Sequence, residues 1–139
     1  MQTFVDVIMP LPLAATFTYS VPDDLASLVA RGSRVIVPFG RKKIYTAIVE
    51  NVHFCRPEGY EVKDIYEVLD SEPILLPIQF KFWNWIAEYY LCTKGEVYKA
   101  AVPSGLKLES ETLIELSPEF VADAPLPERE QKILDLLSV

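Results

Sequence analysis

RVIVPFGRKKIYTAIVENV, residues 34–52, is the stretch whose reading decides the fold. Its flanking runs, SRVIVPF and IYTAIVENV, are apolar and rich in β-branched residues, so they read as two strands around a turn at Gly40. The turn carries three consecutive cations, Arg41, Lys42 and Lys43. A hairpin tip of that kind has two readings: a solubilising surface, or a loop whose backbone N–H groups and side chains hold phosphate oxygens. Composition leaves both open.

Working outward, TFVDVIMP alternates and reads as a strand closed by Pro10 and Pro12. TFTYSVP reads as a second strand, with Phe17, Tyr19 and Val21 on one face and Thr16, Thr18 and Ser20 on the other. DDLASLVARG fits one or two helical turns or a structured loop. EVKDIYEVLD carries Val62, Ile65, Tyr66 and Leu69 at a spacing that slightly favours a helix over a strand. LLPIQFKFWNWIAEYYL is the clearest helix, with Pro77 in its first turn and Phe82, Ile86 and Tyr89/Tyr90 recurring at helical spacing. Trp83 and Ala87 widen that apolar face, for which the strands are the expected partner. Trp83 and Trp85 stand two positions apart, so they cannot both point into one core. After Lys94 and Gly95, EVYKAAVPSGL reads as a short extended element and a turn.

These elements make a small α+β domain over residues 1–105: a curved sheet or partly open β-barrel, OB-like, with one long packed helix. Residues 106–126 form a linker whose LKLESETLIELSPEF suggests short strands and whose VADAPL suggests a hinge. PEREQKILDLL, in residues 127–139, opens a further helix with Ile133, Leu134 and Leu137 on its apolar side.

With 139 residues, half of them hydrophobic and 24% charged, the chain can bury a core of ordinary size. Cys55, Cys92 and the lone His53 give neither a disulfide framework nor a conventional zinc cluster. No secretory leader and no apolar run of membrane-spanning length is evident, so a cytoplasmic location and no membrane partner are expected. The formal net charge is -7, but residues 1–105 hold 10 Lys plus Arg against 12 Asp plus Glu, and residues 106–139 hold 3 against 8. Acidity thus concentrates in the tail. Between Arg31 and Lys43 there are five cations and no carboxylate, a local basic strip able to hold a few phosphates.

Signatures of catalysis are missing: no phosphate loop, no dinucleotide fingerprint, no nucleophile elbow and no metalloprotease motif. Asp64, Glu67, Asp70 and Glu72 lack any histidine or metal ligand among them and read as surface or turn carboxylates. No catalytic residue, metal site or cofactor is expected in this chain. Binding is the remaining chemistry, with Phe17, Tyr19, Phe39, Tyr45 and Tyr66 as candidates to stack on an unpaired base.

VIMPLPLAATFTYSVP, GSRVIVPFGRKK, VKDIYEVLDSEPIL and WIAEYYLCTKGEVYKAAVP, in that order, resemble the amino-terminal 3′-end DNA-binding domain of the bacterial replication restart helicases, the primosomal protein N′ family. The resemblance covers nearly all of residues 5–103. It implies a domain that captures the 3′-OH end of the nascent leading strand at an abandoned fork and orients the helicase for primosome assembly. The pocket it implies is lined by Phe17, Thr18, Tyr19, Gly40 and Lys63; beside it, the cations of the turn, Arg41, Lys42 and Lys43, are expected to guide the strand or its duplex by phosphate contacts. It further implies that LPEREQKILDLL begins a winged-helix domain. ATP, zinc, the other primosome proteins and single-stranded DNA-binding protein are implied only for the rest of such a helicase. Thr18 departs from the pattern, standing where the family usually has an aspartate. An ionised aspartate only accepts hydrogen bonds, whereas a hydroxyl donates or accepts, so weaker or less selective end recognition is expected unless a neighbouring group compensates.

Overall fold

A computed structural model describes residues 1–109, 114–121 and 124–137. The strands are β1 (Thr3–Ile8), β2 (Phe17–Val21), β3 (Arg34–Phe39), β4 (Lys43–His53) and β5 (Glu67–Val68). The helices are α1 (Pro77–Tyr89), α2 (Lys94–Ala101) and α3 (Glu128–Leu137), with a 3-10 turn at Ser104–Leu106. The strands form one antiparallel sheet in the order β2-β1-β4-β3-β5.

The segment before β5 joins the two edges of this sheet. Its residue Asp64 bridges in parallel to Ser20 of β2, while Glu67 and Val68 pair with Ile36 and Val35 of β3. Backbone bonds from Ser20 N to Lys63 O and from Ile65 N to Ser20 O, each 2.9 Å, fix the crossing. The result is the curved, OB-like barrel of an α+β domain. It also corrects the helical expectation for EVKDIYEVLD. The spacing of Val62, Ile65, Tyr66 and Leu69 imitates a helix, but Ile65 alone is deeply buried and the backbone groups here satisfy two open strand edges.

Alternation places Val5, Val7, Tyr19, Val35, Val37, Ala47 and Val49 inside the barrel. Ile8 and Ile48 point the other way, into a second cluster with Phe80, Trp83, Val97 and Tyr98. The strands are apolar in near-continuous runs because helices cover part of their outer face.

The expectation of one long helix on the strands is incomplete. EVYKAA is not extended; it lies in α2, which packs against α1 and β1, while Phe80 and Trp83 of α1 share a buried cluster with Ile8 and Ile48 of the sheet. A capping box begins α2: Thr93 Oγ1 accepts from Glu96 N at 3.3 Å, and Glu96 Oε2 accepts from Thr93 N at 2.8 Å. Thr-x-x-Glu was the available sequence signal. Gly95 lets this helix start against the β1 exit, since a Cβ there would lie 1.9 Å from the Leu11 carbonyl oxygen. Tyr98 ties helix to sheet, donating to Thr46 O at 2.8 Å, and burial pushes its phenol well above the ordinary value.

The face of α1 also differs from expectation. Phe80 and Trp83 are its buried residues, whereas Phe82, Tyr89 and Tyr90 are exposed. Trp83 is 5% exposed and Trp85 is 51% exposed, which answers which indole faces inward. In the tail, Thr46 N donates to Leu108 O at 3.0 Å, and Glu109 bridges to Tyr45. The rest of the expected strands and hinge includes residues 110–113 and 122–123, which lie outside the described residues. Among the described residues, no helix is long and apolar enough to cross a membrane.

Candidate nucleic-acid interface

The turn at residues 40–42 closes the β3-β4 hairpin, with Phe39 paired to Lys43. Gly40 has a φ of +69° and open space around it, so the turn uses the left-handed conformation that glycine tolerates best. On the neighbouring edge, β2 pairs with β1 so that Thr18 faces Asp6 and Phe17 faces Val7. The crossing segment then delivers Lys63, whose backbone is fixed to Ser20 and whose Nζ donates to the Gly40 carbonyl at 3.0 Å.

These three pieces enclose a pocket of about 190 Å³ lined by Phe17, Thr18, Tyr19, Gly40 and Lys63, together with Pro38, Phe39, Tyr60 and Glu61. All five residues that the family resemblance assigns to a pocket are therefore brought together from three chain segments. Arg41, Lys42 and Lys43 line an adjoining depression that shares Pro38, Gly40, Glu61 and Lys63 with the pocket. Among the described residues, no ion pair involves Arg41, Lys42, Lys43 or Lys63. Sequence reasoning missed Tyr60 and Glu61, since only the crossing of the sheet edges carries that loop to the hairpin tip.

The aromatic residues divide by role. Phe17 and Phe39 meet edge to face at 5.4 Å, and Phe39 meets Tyr45 at 6.1 Å, forming a row across one face. Tyr19 is 5% exposed and donates its hydroxyl to Pro38 O at 2.8 Å. It is a pocket floor belonging to the core, not an open stacking platform. Burial, followed by the nearby Tyr60, pushes its phenol up to about 12, so the hydroxyl remains a donor at neutral pH. Tyr66 is exposed at the cation-lined depression.

Thr18 is structurally engaged. Its Oγ1 donates to Asp6 Oδ1 at 2.6 Å, and His53 Nε2 lies 3.2 Å from the same carboxylate oxygen. The hydroxyl proton is thereby committed across the β1-β2 pair, and the Thr18 oxygen retains acceptor capacity.

The expected basic strip from Arg31 to Lys43 is divided. The Arg31 guanidinium lies 4.6 Å from the centroid of the Phe80 ring, and Arg34 is bound to Asp70. Only the cations at the turn face the pocket region. Among the described residues, no group of three or more His, Cys, Asp or Glu side chains is placed to hold a metal ion.

Residues 6–103 match the family described as 3'DNA-binding domain (3'BD) of PriA, and residues 111–139 match one described as Winged helix domain. The chain is 32% identical over 109 residues to the replication restart protein PriA of Bacillus subtilis, covering 78% of this chain and 13% of that protein. It is 33% identical over 103 residues to PriA of Haemophilus influenzae, covering 74% and 14% respectively. For PriA of Synechocystis the identity is 30% over 124 residues, covering 86% and 15%. The chain spans 13–15% of the length of these three relatives.

Proposed function

The chain belongs to the PriA 3′DNA-binding domain family, and from that premise we propose that it captures the free 3′-OH end of a nascent leading strand at a stalled replication fork. One observation carries the proposal: Phe17, Thr18, Tyr19, Gly40 and Lys63 line one small pocket beside Arg41, Lys42 and Lys43, which make no ion pair among the described residues. At about 190 Å³ and open to solvent, the pocket holds part of a terminal nucleotide, with the rest of the strand lying outside it.

The terminal nucleotide enters between Phe17 and the Gly40 turn, where an unpaired base has an aromatic edge to pack against. Lys63, steadied by the Gly40 carbonyl, neutralises the penultimate phosphate. Arg41, Lys42 and Lys43 bind the phosphates of the approaching strand or its duplex. Such contacts carry no sequence information, which suits a fork that stalls anywhere. In the whole protein, this domain orients an ATP-dependent helicase during primosome assembly in the cytoplasm, alongside other primosome proteins and single-stranded DNA-binding protein.

Fluorescence anisotropy with a labelled partial duplex tests this, comparing a recessed 3′-OH with the same end bearing a 3′-phosphate. A several-fold preference for the hydroxyl, with weaker binding of both ends in Lys63→Ala, is expected. Equal, weak binding of both ends rules out end capture. A second reading, a protein-interaction or bracing module, is favoured by the exposed ring ladder of α1. There Phe82 stacks on Trp85 at 6.1 Å and Trp85 on Tyr89 at 5.0 Å. That reading predicts feeble DNA binding with no end preference.

A further inference from the structure

A pocket built from cations alone would choose the wrong end. A 3′-phosphate adds negative charge, so Lys63 and the turn cations attract it more strongly than a neutral hydroxyl. The Thr18 and Tyr19 hydroxyls do not reverse this, because Thr18 donates to Asp6 and Tyr19 donates to Pro38 O, and the Tyr60 phenol, also in the lining, is neutral and can donate to a phosphate as readily as to a hydroxyl. A carboxylate at the terminus would reverse that electrostatic bias, accepting from a hydroxyl and repelling a phosphate.

Glu61 is the only carboxylate among the residues lining the pocket, and it also lines the adjoining cation-bearing depression. Its neighbours leave it uncommitted. Lys63 turns to the Gly40 carbonyl, the Asp64 carboxylate takes the Ser20 hydroxyl, and no ion pair among the described residues involves Glu61. An ionised carboxylate only accepts hydrogen bonds, which matches a terminal hydroxyl and opposes a terminal phosphate.

We propose that Glu61 sets the end specificity of this domain: its carboxylate accepts the hydrogen bond of the terminal 3′-OH and repels a phosphate at that position. The inference rests on the end-capture reading and deepens it by naming the discriminating residue. It also supplies, from the loop preceding the crossing segment, an acceptor that Thr18 lacks as an ion. Lys63 holds the chain's incoming negative charge while Glu61 tests what terminates it. The two residues stand two positions apart in a segment whose backbone is pinned to β2 at Lys63.

The test is a charge-removing substitution read as a ratio. Anisotropy of the 139-residue chain is measured with two partial duplexes identical except for a recessed 3′-OH or 3′-phosphate. The wild type is expected to favour the hydroxyl by about fivefold or more, the scale of one partly screened like-charge contact. Glu61→Gln preserves shape and an acceptor oxygen, and is expected to bring the ratio within about twofold, mainly by tighter binding of the phosphate end. Glu61→Lys is expected to invert the preference. Because the effect is electrostatic at an exposed site, the wild-type ratio should also shrink as salt is raised.

An unchanged ratio in Glu61→Gln overturns the inference, as does equal weakening of both ends, which would mark a bracing role. Either result leaves end capture standing, provided that the wild type retains its preference. A wild type that shows no preference removes end capture and the inference together.

Discussion

The two ends of β3 each present an arginine, and their surroundings are opposite. Arg34, at the start of the strand, donates from all three guanidinium nitrogens: Nη2 to Asp70 Oδ1 at 2.6 Å, Nε to Oδ2 at 3.0 Å, and Nη1 to Leu106 O at 3.0 Å. Its backbone N–H also donates to Asp70 Oδ2 at 2.8 Å. Arg41, just past the other end, is exposed and makes no ion pair among the described residues. An arginine whose donors are consumed by protein holds the fold. One left in water at a glycine turn is available to an incoming anion.

The largest expected break of this contrast is Asp70→Ala. It strands a partly buried guanidinium and unpins the residues after β5, which should cost about 2 kcal/mol in urea unfolding, between the costs of breaking an exposed and a fully buried pair. The corresponding change at the other end, Arg41→Ala, should stay within about 0.5 kcal/mol, as is usual for an exposed residue. Equal losses at the two ends would erase the distinction.

Acid should act on the Arg34 end. Burial alone would raise the Asp70 carboxyl, but hydrogen bonds from the Arg34 side chain and backbone outweigh it and hold the group below its ordinary value. The folded value lies below the unfolded one, so this stabilisation is fully present above the unfolded value of about 3.9 and is lost as pH falls through the folded value. Urea midpoints followed from neutral pH into this acid range should fall, and Asp70→Asn should flatten part of that fall.

At the open end, Arg41→Ala, Lys42→Ala and Lys43→Ala combined should leave stability nearly unchanged. Affinity for a partial duplex should drop about tenfold or more, and the slope of log K against log salt should become shallower by about 2 to 3. An unchanged slope would mean that these cations are solvated and do not touch phosphate.

A modest expected effect sharpens the comparison at the pocket edge. Thr18→Asp sets a second carboxylate against Asp6, across a strand pair now joined by a 2.6 Å hydrogen bond. Like charges directly opposed on a sheet should lower stability by roughly 0.5 to 1 kcal/mol at neutral pH, and less in acid, by thermal or urea unfolding. A gain in stability at neutral pH would show that Asp6 is not the partner that fixes Thr18.

Much of the barrel was legible because strand alternation is local. TFTYSV put Tyr19 and Val21 on the core face and Thr18 on the other, as the cross-strand partners Val5 and Asp6 bear out. The Gly40 hairpin was legible for the same reason. The crossing at Lys63 and Asp64 was not, because a few residues with apolar spacing fit either period until two distant strand edges need backbone partners. The first turn of α2 was written in Thr93 and Glu96, yet Gly95 and Pro103 invited an extended reading. The gain from packing Val97 and Tyr98 outweighed that local bias.

By itself the sequence determined the strand pattern, the long helix, the glycine turn and the cations placed on it, since each depends on neighbours a few positions apart. Only the tertiary structure decided which arginine is spent on a carboxylate, which tryptophan faces water, and that Lys63, Tyr60 and Glu61 meet Phe17 and Gly40 in one pocket. Those outcomes depend on contacts between segments tens of residues apart, which chain closure and the pairing of open strand edges select.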